Sequence, residues 1–356
     1  MSPLHTALRV RETTSYAPMK RDWKKKIHLG LWEITNNISY TRRSSTHKSS
    51  PRRQENFVTE ITPSSFPHFW YESRDGYLGV VYHIHSPVTP RNTPVVLLLG
   101  PLVHPTIAIQ SDNAVVNSLL QSGSDVFIIS HRNHTPSSYS HLDHSFDGIV
   151  REDIPCAIRE IRKHSSSDKF HWIASDLGGI LALLWIAQSG FSAIEKLSLI
   201  NTPCLFHPNP SPHIFDILFG QKWRIWKNVF HHIPDQHTIQ NFMQWELCTD
   251  ILQLEFSQQE RSLLYHSNCP IHTQLVEQWC LCIQKGIVCD ASGGINILEA
   301  LPKHENFPEI HVYSSDAKFI GGHQNCYPLI HKLGGQWHEL PTTDQFPLYT
   351  TAFHIL

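Results

Sequence analysis

Short, continuous apolar runs alternate with segments of helical periodicity along the middle of the chain, and few folds accommodate such an arrangement. Four of the runs lie between residues 93 and 200 and read TPVVLLLG, DVFIIS, FHWIAS and IEKLSLI. Apolar runs of this length are typical of strands buried on both faces of a sheet. Because strands that alternate with helices form right-handed crossovers, the pattern predicts a mainly parallel sheet covered by helices on both faces.

The two ends of this pattern add further elements. YESRDGYLGVVYHIHS predicts two strands joined by a turn at Arg74-Asp75-Gly76. The alternation stops after Thr202-Pro203 and resumes with EIHVYSS, a helix in HQNCYPLIHKLG, the strand GQWHELPT and a short C-terminal helix. Residues 204–300 are rich in Trp and His and mostly helical in period, which predicts a helical cap inserted before the last two strands. Such a cap would cover the carboxyl edge of the sheet, where α/β proteins bind ligands.

Charge is distributed unevenly along the 356 residues. Residues 1–55 hold 12 of the 29 basic residues and 4 of the 31 acidic ones, although the formal net charge of the whole chain is -2. We expect residues 1–56 to be a basic arm, and interpret it as a solvated tail, a transit peptide or a contact with an anionic surface. We therefore predict that the chain is divided into four parts. The arm is followed by the first part of the α/β core over 57–203, the cap over 204–300 and the second part of the core over 301–356. The overall charge gives no electrostatic reason for nucleic-acid binding.

The remaining composition favours a protein of the cytoplasm, with organelle targeting left open by the basic arm. No apolar segment follows Met1 as in a signal peptide, and no run reaches the ~20 apolar residues of a transmembrane helix. Eight scattered cysteines favour free thiols. The 26 histidines include HRNH and HLDH but no HExxH, so we interpret them as surface residues and expect neither a metal nor a cofactor.

The stretch FHWIASDLGGILAL has a distinctive local order: a strand stops at Ser175 and a helix begins at once with Leu177-Gly178-Gly179. A strained turn of this kind exposes the side chain at its centre above the sheet, and small flanking residues allow the backbone to turn tightly. The residue at the centre is Asp176, flanked by Ala174 and Gly178. Ser175 lies one position too early, so its side chain should point away, although it stays a second candidate.

With these motifs in place, residues 57–356 resemble the α/β-hydrolase superfamily, and YSHLDHSFDGIVREDIPCAIREIRKHSSSDKFHWIASDLGG is similar to lipase, esterase and polyhydroxyalkanoate-synthase relatives. The resemblance implies an elbow G-x-S-x-G in which Asp176 occupies the serine position. It further implies that Asp316 is the acid and that Gln345 occupies the histidine position. It places the oxyanion donors at Leu102 and Leu177, with Gly100-Pro101 replacing the family's His-Gly. The triad is therefore expected to be degenerate.

Two functions remain open at this point. Glutamine cannot act as a general base, so the first is a non-catalytic or strongly impaired relative that keeps an apolar pocket for a small acyl-type ligand. The second is an active ester, epoxide or haloalkane hydrolase with Asp176 as nucleophile, as haloalkane dehalogenases and epoxide hydrolases of this fold use aspartate. His323, His338 or His354 would then replace the missing base. Aromatic and aliphatic residues of the cap would either pack it onto the sheet or bind an apolar substrate: Phe215, Leu218, Phe219, Trp223, Trp226, Phe230, Trp245 and Trp279.

Overall fold

The computed structural model describes eight segments of the chain: 66–89, 92–101, 103–109, 114–134, 141–206, 272–302, 308–314 and 323–340. All of them belong to one compact unit, Ile61–Leu356. The predicted basic arm over 1–56 and most of the predicted cap over 204–300 lie outside these segments, so the proposed domain division stays a prediction.

The strands in the described segments of this unit form an eight-stranded sheet, in the order β1-β2-β4-β3-β5-β6-β7-β8. The strands are β1 (His68–Glu72), β2 (Leu78–Ile84), β3 (Val95–Leu98), β4 (Val126–Ser130), β5 (Phe170–Ser175), β6 (Ile194–Ile200), β7 (Glu309–Ser314) and β8 (Gln336–Glu339). The first hairpin and the β2–β4 pair are antiparallel, and every later pair is parallel. The predicted sheet is confirmed, including the hairpin turn, where Gly76 takes a φ of 85°.

Helices lie between most of the strands. They are α1 (Thr106–Ile109), α2 (Ala114–Gln121), α3 (Phe146–Gly148), α4 (Ile154–His164), α5 (Leu177–Ser189), α6 (Thr273–Lys285), α7 (Ile297–Ala300), α8 (His323–Cys326) and α9 (Pro328–Leu333). Side chains of α4 and α5 belong to one hydrophobic cluster with alternate residues of the central strands, and those of α2 belong to a second cluster with the other residues. The sheet is therefore packed on both faces, as predicted.

Helix α5 is the most deeply buried of these helices. Every residue from Leu177 to Ile186 is buried, so the helix has no polar face turned to solvent. A helix that is apolar all round must be enclosed by protein. Its N-terminus starts one residue after Asp176, so this enclosed element fixes the position of Asp176 at the carboxyl edge of the sheet.

Helix α4 begins at Ile154, directly after Asp153 and with Pro155 in its first turn, as these two residues predict. It is not a separate helix, because a π-helical turn over Ile149–Asp153 joins it to α3, which begins at Phe146. Asp153 makes no side-chain hydrogen bond as a cap. Its carboxylate instead forms an ion pair with Arg132, which lies just after β4.

Arg132 links three parts of the fold through a buried ion-pair network. Its guanidinium donates to Asp153 at 2.7 Å, to Asp75 at 2.8 Å and to the backbone oxygen of Asp143 at 2.9 Å. The side chains of Arg132 and Asp153 are completely buried, whereas Asp75 is partly exposed. The network therefore connects the β1–β2 turn, the end of β4 and the start of α4.

None of the helices in the described segments is long and apolar enough to cross a membrane.

Candidate active site

Asp176 occupies a sharp turn between β5 and α5 with a backbone conformation that is rare for a residue with a side chain. Its φ is 49° and its ψ is -119°. The turn is held by two hydrogen bonds: the Asp176 N–H donates to Ile200 O at 2.9 Å, and its carbonyl accepts from the Gly179 N–H at 3.1 Å. Positive φ is costly for residues other than glycine and persists where the surrounding structure enforces it. The chain therefore builds the predicted elbow with an aspartate at its centre.

The two glycines after the elbow are needed for close backbone packing. A Cβ on Gly178 would lie 2.8 Å from the carbonyl carbon of Leu99 and 2.9 Å from the nitrogen of Gly100, at the end of β3. A Cβ on Gly179 would collide with the side chain of Thr202, which follows β6. Because real Cβ atoms do not approach other atoms so closely, larger residues here would push the elbow away from the neighbouring strand ends.

The loop after β3 is held against the elbow by a histidine. His134 Nε2 lies 3.1 Å from Gly100 O, and the Val103 N–H donates to the same oxygen at 3.0 Å. The His131 backbone N–H lies 3.3 Å from His134 Nδ1, which must therefore be the acceptor nitrogen. His134 consequently carries its proton on Nε2 and donates it to Gly100, and burial lowers its pKa well below the ordinary value.

These observations have counterparts among known proteins. Residues 94–252 match the family model described as the alpha/beta hydrolase fold. The chain has the α/β-hydrolase fold. A search of curated protein sequences gives no significant match.

Several solved α/β-hydrolase structures share the fold. The epoxide hydrolase CorEH is 15% identical, with a TM-score of 0.52 over 80% of this chain and 93% of its own. An esterase from Exiguobacterium antarcticum is 15% identical, with a TM-score of 0.50 over 77% and 90%. The bottromycin epimerase BotH, solved with bottromycin A2, is 12% identical, with a TM-score of 0.50 over 80% and 96%. At these identities the likeness concerns the fold alone.

The carboxyl group of Asp176 in this α/β-hydrolase-fold protein is poorly solvated. Burial raises its pKa to about 7, so that at neutral pH the protonated and ionised forms are both populated. Within the described segments, no basic side chain forms an ion pair with Asp176. The negative charge of Asp176 affects Cys326 in α8. Burial raises the pKa of the Cys326 thiol, and the Asp176 charge raises it further.

The backbone N–H of Leu177 is available in the described structure. It occupies the first position of α5, where a helix has no internal acceptor, and none of the hydrogen bonds among the described residues is donated by it. Leu177 lies against the end of β3, since a Cβ on Gly100 would be 3.2 Å from the Leu177 Cβ. Its predicted partner as oxyanion donor, Leu102, lies outside the described residues, as do Asp316, Gln345 and His354.

The two substitute bases in the described residues differ in their surroundings. His338, in β8, lies with its Nε2 2.9 Å from His311 Nδ1 and stacks on Tyr313. His323 begins α8, the helix that carries Cys326, and its buried Nδ1 has no hydrogen-bond partner among the described residues. Neither histidine is hydrogen bonded to Asp176 in the described segments. Both assignments stay predictions, and the contacts favour His323, since the His338 imidazole is already engaged.

Ser175 is the last residue of β5 and is buried. Trp172 and Ala174 belong to the hydrophobic cluster of α5, whereas Ile173 belongs to the opposite one. Because side chains alternate along a strand, Ser175 lies on the Ile173 side of the sheet. This placement favours Asp176 over Ser175 as the residue presented by the elbow.

The interpretation of the HRNH and HLDH histidines as surface residues is wrong for three of them. His131, His134 and His144 are all buried. The His144 Nδ1 donates to Asn133 Oδ1 at 2.8 Å, and its ring stacks on His272, just before α6, at 3.5 Å. The sequence did contain a signal that His131 lies near the ligand-binding edge of the sheet. His131 directly follows a buried strand, and residues that follow parallel strands lie at this edge.

A partly open cavity lies beside α6, and Asp176 is not among the residues that line it. Its volume is about 430 Å³, and most of its lining is polar: Asp143, Ser145, Gln274, Glu277, Gln278, Cys280, Leu281, Gln284 and Ala291. Of the aromatic cap residues, Trp279 is described and is buried in α6, and the others lie outside the described residues. The apolar pocket over Asp176 stays a prediction.

We expect Asp176→Asn to stabilise the protein at high pH only. A carboxyl group whose pKa is raised by folding does not lower the free energy of unfolding at a pH below its unfolded pKa of 3.8. Between this pH and the folded pKa of about 7, the unfolded state loses the proton first, so the free energy of unfolding decreases as the pH rises. The variant should therefore be more stable than the wild type by about 2–4 kcal/mol at pH 8 and equal to it near pH 4. Urea unfolding across this range measures the difference. The exposed Asp168→Asn is the control, and a pH-independent difference for Asp176→Asn would contradict the prediction.

Proposed function

We propose that this protein is an impaired α/β hydrolase that binds a small apolar, acyl-type ligand at the elbow without efficient turnover. The observation that carries the proposal is the side chain at the elbow: a carboxyl group stands at the nucleophile position, and no basic side chain pairs with it in the described segments. The serine route needs a base that removes the nucleophile's proton and later activates water. The resemblance that assigns Gln345 to the base position supports the same conclusion.

The elbow retains properties suited to binding. A carboxyl group with a pKa of about 7 can donate a hydrogen bond when protonated and accept one when ionised. The Leu177 N–H offers a second donor close by. A few polar groups at the base of an otherwise apolar site are the usual arrangement for orienting a small ligand. We propose that these two groups bind the carbonyl or carboxyl end of the ligand.

One observation favours a second candidate, an active hydrolase with Asp176 as nucleophile. The strained conformation that exposes a nucleophile is present, and the Leu177 N–H is unoccupied in the described structure. The Asp176 carboxylate would attack carbon, so that a carbon–halogen bond breaks and halide leaves. With an epoxide, the ring C–O bond would open and the oxygen would take a proton from water. Either reaction yields an ester on Asp176, and its hydrolysis requires a base such as His323.

Intact-mass spectrometry distinguishes the two functions. The full chain and Asp176→Asn are incubated with pooled alkyl halides, epoxides and activated esters, and product formation is followed in parallel. We expect no adduct and no turnover, together with binding of apolar acyl compounds that tryptophan fluorescence detects.

Other outcomes would overturn the proposal in identifiable ways. An adduct on the wild type that is absent from Asp176→Asn would establish Asp176 as a nucleophile with slow ester hydrolysis. Turnover without an adduct would show that a base is present, and the His323→Gln variant would then test whether His323 is that base. Absence of both turnover and acyl binding would remove the ligand-binding proposal.

A further inference from the structure

A cluster of metal-ligating side chains lies at the edge of the sheet opposite to the elbow. His83 is in β2, His85 follows this strand, and Asp125 immediately precedes β4. Asp176 follows the end of β5, which runs parallel to β4 on the far side of β3. Starts and ends of parallel strands lie at opposite edges of a sheet, so this cluster is separate from the candidate active site.

The strand register brings the three residues together. In the antiparallel β2–β4 pair, Ile84 is opposite Val126, so that the next pair along is His85 and Asp125. His83 lies two residues before His85 and therefore on the same face. Because the pairing joins positions about 40 residues apart in the chain, the ligand spacing cannot be recognised in the linear sequence.

The ligand atoms have separations that suit a tetrahedral metal ion. Asp125 Oδ2 lies 3.2 Å from His83 Nε2 and 3.5 Å from His85 Nδ1, and the three ligand atoms all lie within 4.8 Å of one another. Two ligands of a tetrahedral zinc ion with bonds of ~2.0–2.1 Å are separated by about 3.3 Å. Both carboxylate–imidazole distances are close to this value. The two imidazole nitrogens, which lie within 4.8 Å of each other, would need to approach by at most about 1.5 Å for a zinc ion to bind.

Neighbouring groups orient the ligands. The Ser86 N–H donates to Asp125 Oδ1 at 2.8 Å, and the Ser86 hydroxyl donates to Leu120 O at 2.8 Å. Asp125 Oδ2 is thereby turned toward the two histidines. The His83 ring stacks on Phe127 with centroids 4.1 Å apart. Hydrogen bonds of this kind fix ligand orientation in metal sites and strengthen binding.

Exposure of the ligands also fits a metal site. The His83 side chain is 9% exposed and that of Asp125 is 20% exposed, so both are largely enclosed by protein. The His85 side chain is 65% exposed, which leaves a path for the ion and for a water molecule as fourth ligand.

We propose that His83, His85 and Asp125 form a zinc site with an open fourth position. Two imidazoles and a carboxylate are a common ligand set for zinc in proteins, with water completing the tetrahedron. Bound zinc would connect the end of β2 to the start of β4 and so stabilise the antiparallel part of the sheet.

Metal titration of the full chain tests the proposal. The protein is first treated with a chelator, and zinc binding is then measured by calorimetry and by metal analysis after dialysis. The variants are His85→Ala and Asp125→Asn, which keeps the acceptor for the Ser86 N–H. The control is His141→Ala, which also removes an exposed loop histidine. We expect the wild type and the control to bind one more equivalent of zinc than either variant, and zinc to raise the melting temperature only in the first two.

Cobalt provides a second readout, because the chain has eight cysteines that could bind metal elsewhere. Co²⁺ at the proposed site should give the visible spectrum of tetrahedral nitrogen and oxygen ligands, without the near-ultraviolet band of thiolate coordination. Equal zinc stoichiometry in His85→Ala and His141→Ala would overturn the proposal. A wild type that binds no zinc, or that binds it only through thiolates, would do the same.

Discussion

We expect the protein to be much less stable at pH 5 than at pH 7.5. Burial lowers the pKa of His131, His171 and His272 to about 3, and that of His134 well below its ordinary value. A histidine with a depressed pKa binds its proton only after unfolding. Above pH 6.5 the histidine is neutral in both states, and the free energy of unfolding does not depend on its titration. As the pH falls from 6.5 toward 3, the unfolded state binds the proton and the free energy of unfolding decreases progressively.

The size of this effect depends on opposing groups. Each fully buried histidine contributes a loss of about 1.4 kcal/mol for every pH unit below 6.5, and the partly exposed His171 and His272 contribute less. Asp176 and Asp153 act in the opposite direction because burial raises the pKa of each, to about 7 and about 6. The net loss should be about 1–3 kcal/mol per pH unit. Urea unfolding between pH 5 and pH 8 measures it.

His131→Leu is the informative variant for this prediction. The His131 ring approaches the backbone of Leu99, but neither ring nitrogen has a hydrogen bond of normal geometry within the described residues. Replacing it with an apolar residue of similar size removes the proton-binding group at little structural cost. We expect a pH slope shallower by about 1.4 kcal/mol per unit. The exposed His141→Gln should keep the wild-type slope, and a flat wild-type profile would contradict the whole account.

We expect Asp153→Ala to destabilise the protein by about 3–5 kcal/mol, because it removes the fully buried partner of a buried cation. Arg132 would keep Asp75, but that carboxylate is partly exposed and lies in the hairpin turn. The four donations from Arg132 to Asp153, including one from the Arg132 backbone N–H, would all be lost. Urea unfolding at pH 7 measures the change.

Two further variants make this result interpretable. Asp75→Asn weakens the exposed side of the same network and should cost about 1 kcal/mol. Asp168→Asn removes an exposed carboxylate outside the network and should have almost no effect. If Asp153→Ala were no more destabilising than Asp168→Asn, the network would not contribute to stability. If Asp153→Ala does not fold, the graded loss in Asp75→Asn still tests the prediction.

The fold could be predicted from sequence because its signals are local. The buried strands are continuous apolar runs, and the elbow is marked by a run that ends at Ser175 and by the Gly178-Gly179 pair. The close approach of these glycines to the ends of β3 and β6 explains why only small residues fit there. Hydrophobic periodicity and the positions of small residues were therefore sufficient to predict the strands and the elbow, and no contact between distant residues had to be known.

What could not be predicted depended on contacts between distant segments. Asp153 directly precedes α4 as predicted, but its carboxylate accepts hydrogen bonds from Arg132, 21 residues earlier, and does not cap the helix. The histidines of HRNH and HLDH were interpreted as exposed because the contacts of His134 with the loop after β3 and of His144 with the segment before α6 could not be foreseen. Burial of polar residues results from packing between such segments, and local sequence patterns do not record it.

The strand order has a consequence for synthesis of the chain. Strand β6 ends at Ile200, and its parallel partner β7 begins only at Glu309, 109 residues later. At ~5–20 residues per second, a ribosome needs roughly 5–20 s to complete this interval. During that time the hydrogen-bonding edge of β6 has no partner strand, and an unpaired edge beside apolar side chains is a site for aggregation. Chaperone binding to the nascent chain is therefore expected to be strongest between completion of β6 and emergence of β7.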